Sequence, residues 1–394
     1  MKQSFYKFIG TYWHQILIYG MVAAFVGAVL WYQLGTLVPG FSLPELTARS
    51  EVNSLHKLIA NPLFLPHKLI QYAFIRLGKN GPFWMRSASA LWGLGVILLS
   101  FDIIRTWYSR RIAVMSSLLL ITSAWFLHFA RLGTPLIMFT SSIGLIWVGM
   151  KLKSVSAPRI RTIMASILIL EVCLYVPGLA WLVVPLLFWQ RQHIWFEISK
   201  IPKFLGWFTI TAVIVGLVPL INGFIRSPIL VRDWLMLPSR FNLGLFWSNA
   251  WHLPIWFTFK GPELPVYWLG HLPMFNSFSL IMGMLGVYVL FSYRLLDRVR
   301  VFFGIFFLAV VLTIFNGWLA LVIALPVFYI FVAAGIALFL QQWFTVFPRN
   351  PLARAAGITA VAFVIILACF YNTQSYFVAW PRNFDTRQVF NLKS

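Results

Sequence analysis

Long uninterrupted blocks of apolar residues constrain the fold of this chain more than any other feature of its sequence. The hydrocarbon core of a bilayer is about 30 Å thick, so a helix that crosses it needs about 20 mostly apolar residues. Only 10% of the 394 residues are charged, whereas a soluble domain carries roughly a quarter. Blocks with the character of membrane spans lie at 15–38, 86–104, 112–130, 134–150, 162–177, 178–190, 205–223, 275–293, 300–316, 317–341 and 355–371. The sequence therefore predicts an all-α fold: a polytopic integral membrane helix bundle with about eleven transmembrane helices and additional exterior interfacial helices.

Basic residues are distributed unevenly between the two sides of this predicted bundle. If the N-terminus is cytoplasmic and 15–38 is a retained first span, the short segments on that side hold Lys2, Lys7, Arg105, Arg110, Arg111, Lys151, Lys153, Arg159, Arg161, Arg191, Lys200, Lys203, Arg294, Arg298, Arg300, Arg349 and Arg354. The short connections on the other side hold only Arg131. Short loops rich in Lys and Arg stay in the cytoplasm, so we predict a multi-pass cell-membrane protein with an exterior C-terminus. The formal charge of +22 then reflects topology and contact with membrane lipids, and a nucleic-acid partner is excluded.

Two long exterior segments divide the predicted chain into four parts. These are an N-terminal transmembrane half (1–223) containing the first exterior loop (39–85), an aromatic exterior loop (224–274), C-terminal transmembrane helices (275–371) and an exterior tail (372–394). Within the first loop, the positions Leu69, Ile70, Ala73, Phe74 and Leu77 form one apolar helical stripe. A short helix of this kind lies in the membrane interface instead of crossing the bilayer.

Tryptophan is concentrated in the second exterior segment, at Trp247, Trp251 and Trp256 among other positions. At a membrane interface tryptophan usually anchors a segment at a given depth. The density of aromatic residues here also fits a surface-lying or re-entrant structure above a cavity. We therefore name these three side chains as a candidate substrate cover.

Three acidic residues are candidates for chemistry. Pro44 predicts a helix start with Ser42 or Leu43 as its cap, which would put Glu45 in the first turn near the membrane surface. Glu51 follows in the same loop as a second acid. Glu171 lies inside an apolar block, where an ionisable group is expensive unless it faces a cavity or a partner. Two of these carboxylates have a simpler interpretation: Glu45 as a contact with the helix dipole, and Glu171 as a protonated or hydrogen-bonded contact between helices.

Basic residues on the exterior side are the candidates for phosphate binding. Arg131 stands alone in a connection that otherwise avoids charge, which suggests a phosphate or carboxylate partner. Snorkelling toward anionic headgroups would explain it equally simply. Arg86 and Lys68 lie in the first exterior loop and are candidates to assist. The chain contains no glycine loop that cradles phosphate, no GxSxG motif and no His or Cys spacing typical of zinc, so we predict no metal site from motifs, and a requirement for a divalent metal stays open.

Several short motifs follow one another along residues 41–153. They are Pro44-Glu45, Asn61–Pro66, Leu77-Gly78, Trp84–Gly93, Arg110-Arg111 and His128–Pro135, and Tyr175–Leu179 comes after them. In this order they resemble the N-terminal half of the polyprenyl-phosphate-sugar-dependent membrane glycosyltransferases of the GT-C type. That family includes the protein O-mannosyltransferases and the aminoarabinose transferases of lipid A. Two positions depart from it: the family usually has Asp-Glu where this chain has Pro44-Glu45, and an Asp where this chain has Thr134.

The resemblance implies transfer of a hexosyl or pentosyl group, with inversion, from a polyprenyl-phosphate sugar to an exterior glycan, lipid or protein hydroxyl. It implies that Glu45 deprotonates or orients the acceptor, and that Arg131, with Arg86 or Lys68, holds the phosphate. The alternative is a non-catalytic or transport protein on the same scaffold, either a lipid-linked-glycan flippase or an inactive binding subunit. The departures at the acidic motifs favour this alternative.

Overall fold

A computed structural model of the protein describes residues 20–154, 160–199, 203–262, 264–267, 272–293 and 296–391. Residues 15–19 of the predicted first span and 392–394 of the predicted tail lie outside this part of the chain. Every regular element within it is a helix, and none is a strand.

The helices, in chain order, are α1 (Gly20–Trp31), α2 (Leu43–Glu51), α3 (Leu55–Ala60), α4 (Leu65–Arg76), α5 (Pro82–Trp107), α6 (Arg110–Thr122), α7 (Ala124–Arg131), α8 (Ser142–Ser154), α9 (Ile160–Leu174), α10 (Ala180–Ser199), α11 (Lys203–Arg226), α12 (Ile229–Trp234), α13 (Leu243–Thr258), α14 (Ser277–Ser292), α15 (Asp297–Asn316), α16 (Leu325–Val346), α17 (Pro351–Gln374), α18 (Trp380–Arg382) and α19 (Phe384–Val389). Two 3₁₀ helices, Pro135–Ser141 and Trp318–Ala324, lead directly into α8 and α16. A π-helical turn, Ser375–Ala379, connects α17 to α18.

The predicted all-α, polytopic membrane bundle is confirmed. Six helices among the described residues are long and apolar enough to span a bilayer, and the bent pair α6 and α7 would make a seventh. Three further apolar helices have only 10–17 residues. Length and composition thus give fewer spans than the eleven or so apolar blocks predicted, because several of these blocks are short or interrupted. Which side of the membrane each terminus occupies stays a prediction.

The predicted block at 112–130 is interrupted at Ser123. The backbone there is extended, and the Ser123 hydroxyl accepts a hydrogen bond from the Phe126 N–H, so it caps a new helix. The axes of α6 and α7 consequently differ by 66°. This bend directs the C-terminal end of α7, with His128 and Arg131, under the first loop and the tail.

Small residues bring α14 and α16 into close contact. A Cβ added at Gly286 would lie 1.8 Å from the Phe331 carbonyl oxygen, and one at Gly335 would lie 1.9 Å from the Met282 carbonyl oxygen. Glycine at these positions lets two membrane helices approach at backbone distance. The close contact between α14 and α16 therefore requires glycine at these two positions, in addition to apolar residues along both helices.

We call the end of the bundle at which α5 begins the loop end, and the end at which α5 finishes the basic end. Helices α2, α3 and α4 form the first loop at the loop end. In α4 the buried side chains include the polar His67, Lys68 and Gln71, whereas Leu69 and Leu77 are exposed. The predicted apolar stripe thus faces outward, as suits a helix whose apolar side contacts lipid, and its polar side faces the protein.

The tail continues α17 beyond its predicted end. After the π-helical turn, α18 and α19 fold back over the loop end, where Trp380 and Phe390 are buried. The predicted tail, 372–394, therefore packs against the N-terminal part of the chain. The division of the chain into four parts stays a prediction.

Candidate functional site

Glu45 lies fully buried in the first turn of α2. The backbone N–H and the hydroxyl of Ser42, the residue before the helix, donate to Glu45 Oε2 at 3.0 and 3.2 Å. The bond from the Ser42 N–H is the carboxylate half of a capping box, and it satisfies one of the polar groups that a helix start leaves without partners. The predicted helix start at Pro44, with Ser42 as cap and the carboxylate in the first turn, is confirmed.

Arg86, near the start of α5, forms a two-pronged ion pair with Glu45. Its Nε donates to Oε1 at 2.8 Å and its Nη2 to Oε2 at 3.1 Å. The remaining N–H groups donate to three backbone carbonyls: Leu34 at 3.2 Å, Val38 at 2.7 Å and Gly40 at 2.7 Å. A guanidinium has five N–H donors, so this geometry leaves Arg86 none for a phosphate. In this arrangement Arg86 holds the chain between α1 and α2, and its role in binding the donor stays a prediction.

The Glu45 carboxylate has a complete set of partners. Besides Arg86 and Ser42, the Gly133 N–H donates to Oε1 at 2.8 Å. Burial alone would raise the pKa of Glu45, but the Arg86 charge and the hydrogen bonds from Arg86, Ser42 and Gly133 outweigh it and lower that pKa below its ordinary value. The group is therefore ionised and stabilised within the protein. These five hydrogen bonds hold the carboxylate within the protein, and a role of Glu45 as base stays a prediction.

Arg131, at the end of α7, binds the C-terminal end of α1. Its Nη1 donates to the Val29 and Leu30 carbonyls at 2.6 and 3.0 Å, and its Nη2 donates to the Tyr32 carbonyl at 2.6 Å. The last carbonyls of a helix lack intrahelical partners and carry partial negative charge, so they attract a cation. The sequence led us to expect a phosphate or carboxylate beside Arg131; the described residues supply backbone carbonyls instead.

The tail covers both guanidiniums with aromatic rings. The Arg131 guanidinium carbon lies 4.7 Å from the Phe377 ring centroid and 5.4 Å from that of Tyr376. The Arg86 guanidinium carbon lies 5.6 Å from the Phe390 ring centroid. Cations attract aromatic faces, and more strongly where water is excluded. The tail therefore forms one wall of the cluster that contains Glu45, Arg86 and Arg131.

Trp380 anchors this wall. Its indole N–H donates to the Pro265 carbonyl at 3.0 Å, and its ring meets that of His128 edge-on at 4.7 Å. Tyr267 lies close by: burial, together with the charge of Glu45, raises the pKa of Tyr267 to about 12. The segment before α14 and the tail thus close over the cluster together.

The side chains predicted to cover a substrate lie elsewhere. Trp247 and Trp251 in α13 are 67% and 76% exposed. Trp256 stacks on His252 of the same helix, with ring centroids 5.9 Å apart. Aromatic residues do cover the cluster, but they come from the tail and from Tyr267. Helix α13 packs along α15 with Trp247 and Trp251 exposed, and Trp256 is half-buried against the core of the bundle.

The polar face of α4 joins the same cluster. Gln71 Nε2 donates to the Met85 and Gly133 carbonyls at 3.1 and 2.9 Å. His67 Nε2 lies 2.9 Å from the Ser89 hydroxyl. Sequence reasoning did not assign Gln71 to the site, although its four-residue spacing from His67, opposite the apolar stripe, was a usable signal. It also missed Tyr267 and Tyr376, for which no local pattern pointed to the site.

Lys68 and Glu51 form a second ion pair at the rim of the cluster. The Lys68 Nζ lies 2.7 Å from Glu51 Oε2, and it also donates to the Asn61 carbonyl at 3.1 Å. Lys68 is 3% exposed and Glu51 is 35% exposed. Burial lowers the pKa of Lys68, and the Glu51 charge opposes that shift. The ammonium has one more N–H than these two bonds use, and the carboxylate reaches the surface, so this pair has capacity for a ligand.

Glu171 lies apart from this cluster, in α9. Its carboxylate packs so closely against Gly216 of α11 that a Cβ at that glycine would overlap it. The Tyr175 hydroxyl donates to the Gly216 carbonyl beside it. This placement corresponds to the contact between helices that the sequence left as the simpler interpretation. Among the described residues no three His, Cys, Asp or Glu side chains come together as a metal site.

No protein-family model and no curated protein sequence matches this chain. Solved structures do match over almost its whole length. ArnT from Cupriavidus metallidurans in the apo state aligns with 94% of this chain and 76% of its own, at 14% identity and a TM-score of 0.51. The same protein bound to undecaprenyl phosphate aligns with 95% of this chain and 77% of its own, at 14% identity and a TM-score of 0.53.

A third structure is the archaeal oligosaccharyltransferase AglB from Archaeoglobus fulgidus, in complex with an inhibitory peptide and a dolichol-phosphate. This chain aligns with it over 94% of its own length and 56% of AglB, at 13% identity and a TM-score of 0.52. The chain shares its fold with these proteins. At such low identity the likeness extends to the fold alone.

Proposed function

We propose that this protein is a membrane glycosyltransferase that moves a hexosyl or pentosyl group from a polyprenyl-phosphate carrier to a hydroxyl of an exterior glycan, lipid or protein. The observation that carries the proposal is the likeness of almost the entire chain to proteins solved with undecaprenyl phosphate or dolichol-phosphate bound. The motifs at 41–153 resemble the same class of enzyme. Membrane lipids and a lipid-linked sugar are then its partners.

In this proposal Glu45, Arg86 and Arg131 position the site. The Glu45 carboxylate and all five Arg86 donors are bound within the protein, and both terminal nitrogens of Arg131 donate to carbonyls at the end of α1. Glu45 and Arg86 hold the chain between α1 and α2, and Arg131 fixes the end of α1. These roles follow from the bonds described above, and they replace direct contact with a sugar or phosphate. Removing any of the three would disturb the loop end as a whole.

Glu51 and Lys68 are the pair that we assign to the reaction. Glu51 takes the proton of the acceptor hydroxyl, whose oxygen forms a bond to the anomeric carbon. The bond between that carbon and the phosphate oxygen breaks, and the polyprenyl phosphate leaves with the electron pair. Lys68 stabilises the charge on the leaving phosphate by charge-assisted hydrogen bonding. Direct displacement from the opposite face inverts the anomeric centre.

One observation favours the alternative, a protein that binds a lipid-linked glycan without transferring its sugar. All five donors of Arg86 are bound within the protein, and aromatic rings of the tail lie over Arg86 and Arg131. A scaffold closed in this way could hold a carrier beside the cluster while offering no acid–base group at its centre. Such a protein would be an inactive binding subunit or a flippase.

The two functions are separated by one assay on purified protein in lipid nanodiscs. The probes are polyprenyl-phosphate hexoses and pentoses, each supplied with a lipid, a glycan or a peptide that offers a free hydroxyl. The readout is the release of free polyprenyl phosphate together with glycosylation of that acceptor. Transfer predicts release by the unsubstituted protein, and Glu51→Gln is expected to reduce its rate by about 10²–10⁴-fold. Lys57→Gln is the matched control, because Lys57 is an exposed lysine of the same loop that donates to the Ser50 carbonyl. Binding of the probes without any release would favour the alternative.

A further inference from the structure

A cavity at the basic end, distant from the cluster around Glu45, has the features of a lipid site. It has a volume of about 670 Å³ and lies between the start of α6, the end of α16 and the first part of α17. The 26 residues of α5 separate it from the loop end, which at 1.5 Å per residue is about 39 Å. The cavity therefore belongs to neither the proposed transfer site nor its aromatic cover.

The lining of this cavity divides into an apolar part and a charged part. Met115, Leu340, Phe344 and Ile358 contribute the apolar surface, and Arg110 and Arg111 contribute the charge. Both arginines are exposed. Since α6 and α17 begin here and α16 ends here, the cavity lies at the level of the helix ends, where hydrocarbon gives way to headgroups and water.

Among the residues that the structure describes, no carboxylate pairs with the positive charges around the cavity. Arg354 of α17 adds a third guanidinium, with its carbon 4.8 Å from the Phe344 ring centroid. None of the three arginines forms an ion pair with a carboxylate in the described ranges. Arg105, in the last turn of α5, differs: its guanidinium lies 2.6 Å from the Asp102 carboxylate. Three uncompensated cations above an apolar hollow attract an anion that also carries an apolar chain.

We propose that this cavity binds one anionic phospholipid. The phosphate lies between Arg110 and Arg111, held by charge-assisted hydrogen bonds from their guanidiniums. One acyl chain enters the hollow lined by Met115, Leu340 and Phe344, where it is removed from neighbouring lipid. Basic pockets between membrane helices at this level suit such headgroups. The inference does not rest on the proposed transfer reaction, since it uses none of the same residues.

The test is competition between two lipids of identical acyl chains. Purified protein is given equal amounts of phosphatidylglycerol and phosphatidylcholine, and the single lipid retained after delipidation is identified by native mass spectrometry. Phosphatidylglycerol is expected to be retained preferentially. Arg110→Gln combined with Arg111→Gln is expected to weaken the binding of phosphatidylglycerol about thirtyfold. Each arginine near the membrane surface contributes about 1 kcal/mol, and every 1.4 kcal/mol is roughly tenfold in affinity.

Two further variants keep this test specific. Arg349→Gln removes an exposed arginine between α16 and α17 that does not line the cavity, so it is expected to retain the preference. Ala337→Trp fills the cavity without changing charge, and it is expected to abolish retention while the thermal unfolding temperature shows that the protein is folded.

Three outcomes would overturn the proposal. Equal retention of the two lipids would exclude selection by charge. An equal loss in Arg349→Gln would mean that the net charge of this end, and no particular cavity, attracts the lipid. Complete displacement of phosphatidylglycerol by an excess of inorganic phosphate would mean that the site binds a free anion and makes no use of the acyl chain.

Discussion

Arg86 and Glu45 are separated by 41 positions in sequence, and they form a buried ion pair in which every donor of the guanidinium is used. Breaking a buried pair by removing one charge leaves the other without compensation, at a cost of about 3–5 kcal/mol. Glu45→Gln is therefore expected to lower the thermal unfolding temperature strongly, and Arg86→Lys likewise, because an ammonium cannot reproduce the fork. The measurement is thermal unfolding of the detergent-solubilised protein.

A surface ion pair provides the control for this prediction. Asp233 is 48% exposed and lies 3.4 Å from Arg232, and such pairs contribute about 0–1 kcal/mol. Asp233→Asn should therefore change the unfolding temperature little. If Glu45→Gln proved as mild as Asp233→Asn, the positioning role assigned to Glu45 and Arg86 would have to be abandoned.

His67 predicts how stability depends on pH. Burial, with a smaller contribution from Lys68, lowers the pKa of His67 from 6.5 to about 3 in the folded protein. Between these two values the unfolded chain binds a proton that the folded protein does not, so stability falls as the pH falls, by at most about 1.4 kcal/mol per pH unit. His67→Gln removes the group that takes up this proton in the unfolded chain. The unfolding temperature of this variant is therefore expected to decline less between pH 6.5 and pH 4.5 than that of the unsubstituted protein.

An exposed histidine separates this effect from a general response to acid. His56 lies in α3 and is exposed, so His56→Gln should follow the unsubstituted protein across the same range. Measurements stop at pH 4.5, the ordinary pKa of a glutamate, because Glu45 would contribute below it. The folded protein lowers the pKa of Glu45, so the stabilisation from its ionised carboxylate is present above pH 4.5 and is lost as the pH falls through the lowered pKa. Parallel pH curves for His67→Gln and the unsubstituted protein would contradict the prediction.

The aromatic wall formed by the tail can be tested by proteolysis. Trp380 is fully buried, whereas Phe384 in the same tail is 70% exposed. Trp380→Ala should release α18 and α19 from the loop end, since replacing a buried tryptophan by alanine costs about 3–5 kcal/mol. Trypsin is then expected to cleave faster after Arg382 and Arg387, as followed by mass spectrometry. Phe384→Ala is the control, and its cleavage rate should remain that of the unsubstituted protein.

Close packing of α14 on α16 predicts a cost for one added methyl group. At Gly286 the new Cβ would lie 1.8 Å from a backbone oxygen, which cannot move without shifting α16. Gly286→Ala is therefore expected to destabilise the protein by about 1–3 kcal/mol or more. Gly95→Ala in α5 is the matched control, because nothing lies within 4 Å of its added Cβ. Equal unfolding temperatures for the two variants would refute this account of the helix pair.

Local features of the loop end could be predicted from sequence, and its long-range contacts could not. Pro44 with Ser42 two residues earlier predicted the start of α2, because a cap and a fixed φ act within a few residues. The partner of Arg131 lies about 100 positions away, and nothing in the sequence of α1 distinguishes its final carbonyls as ligands. A lone cation suggested an anionic partner, but helix ends also carry negative charge.

The orientation of α4 illustrates a different limit. Its apolar stripe was visible in the sequence, yet the polar side with His67, Lys68 and Gln71 proved to be the buried one. In water an apolar stripe turns toward the protein, whereas beside a bilayer it can turn toward lipid instead. Amphipathicity predicts that a helix has two faces, and the neighbouring solvent decides which face is buried.

The interrupted span at Ser123 and the cover of the cluster had no usable sequence signal. A serine within an apolar block is compatible with a continuous membrane helix, and the 66° bend arises from its extended backbone. The tryptophans of α13 were the most conspicuous aromatic residues and were therefore predicted as the cover. Tyr376 and Trp380, which do lie over the cluster, resembled an ordinary interfacial anchor.

The bonds of Arg131 and Arg86 also determine when the end of α1 and the connection to α2 can acquire their permanent partners during synthesis. The carbonyls that Arg131 binds belong to residues 29–32, and Arg131 emerges about 100 residues after them. Arg86, which binds the next carbonyls, emerges about 50 residues after its own partners. The end of α1 and the connection to α2 therefore lack these permanent partners until α5 and the bent pair α6 and α7 have been synthesised. Insertion of α5 to α7 thus completes the assembly of a loop that was translated long before them.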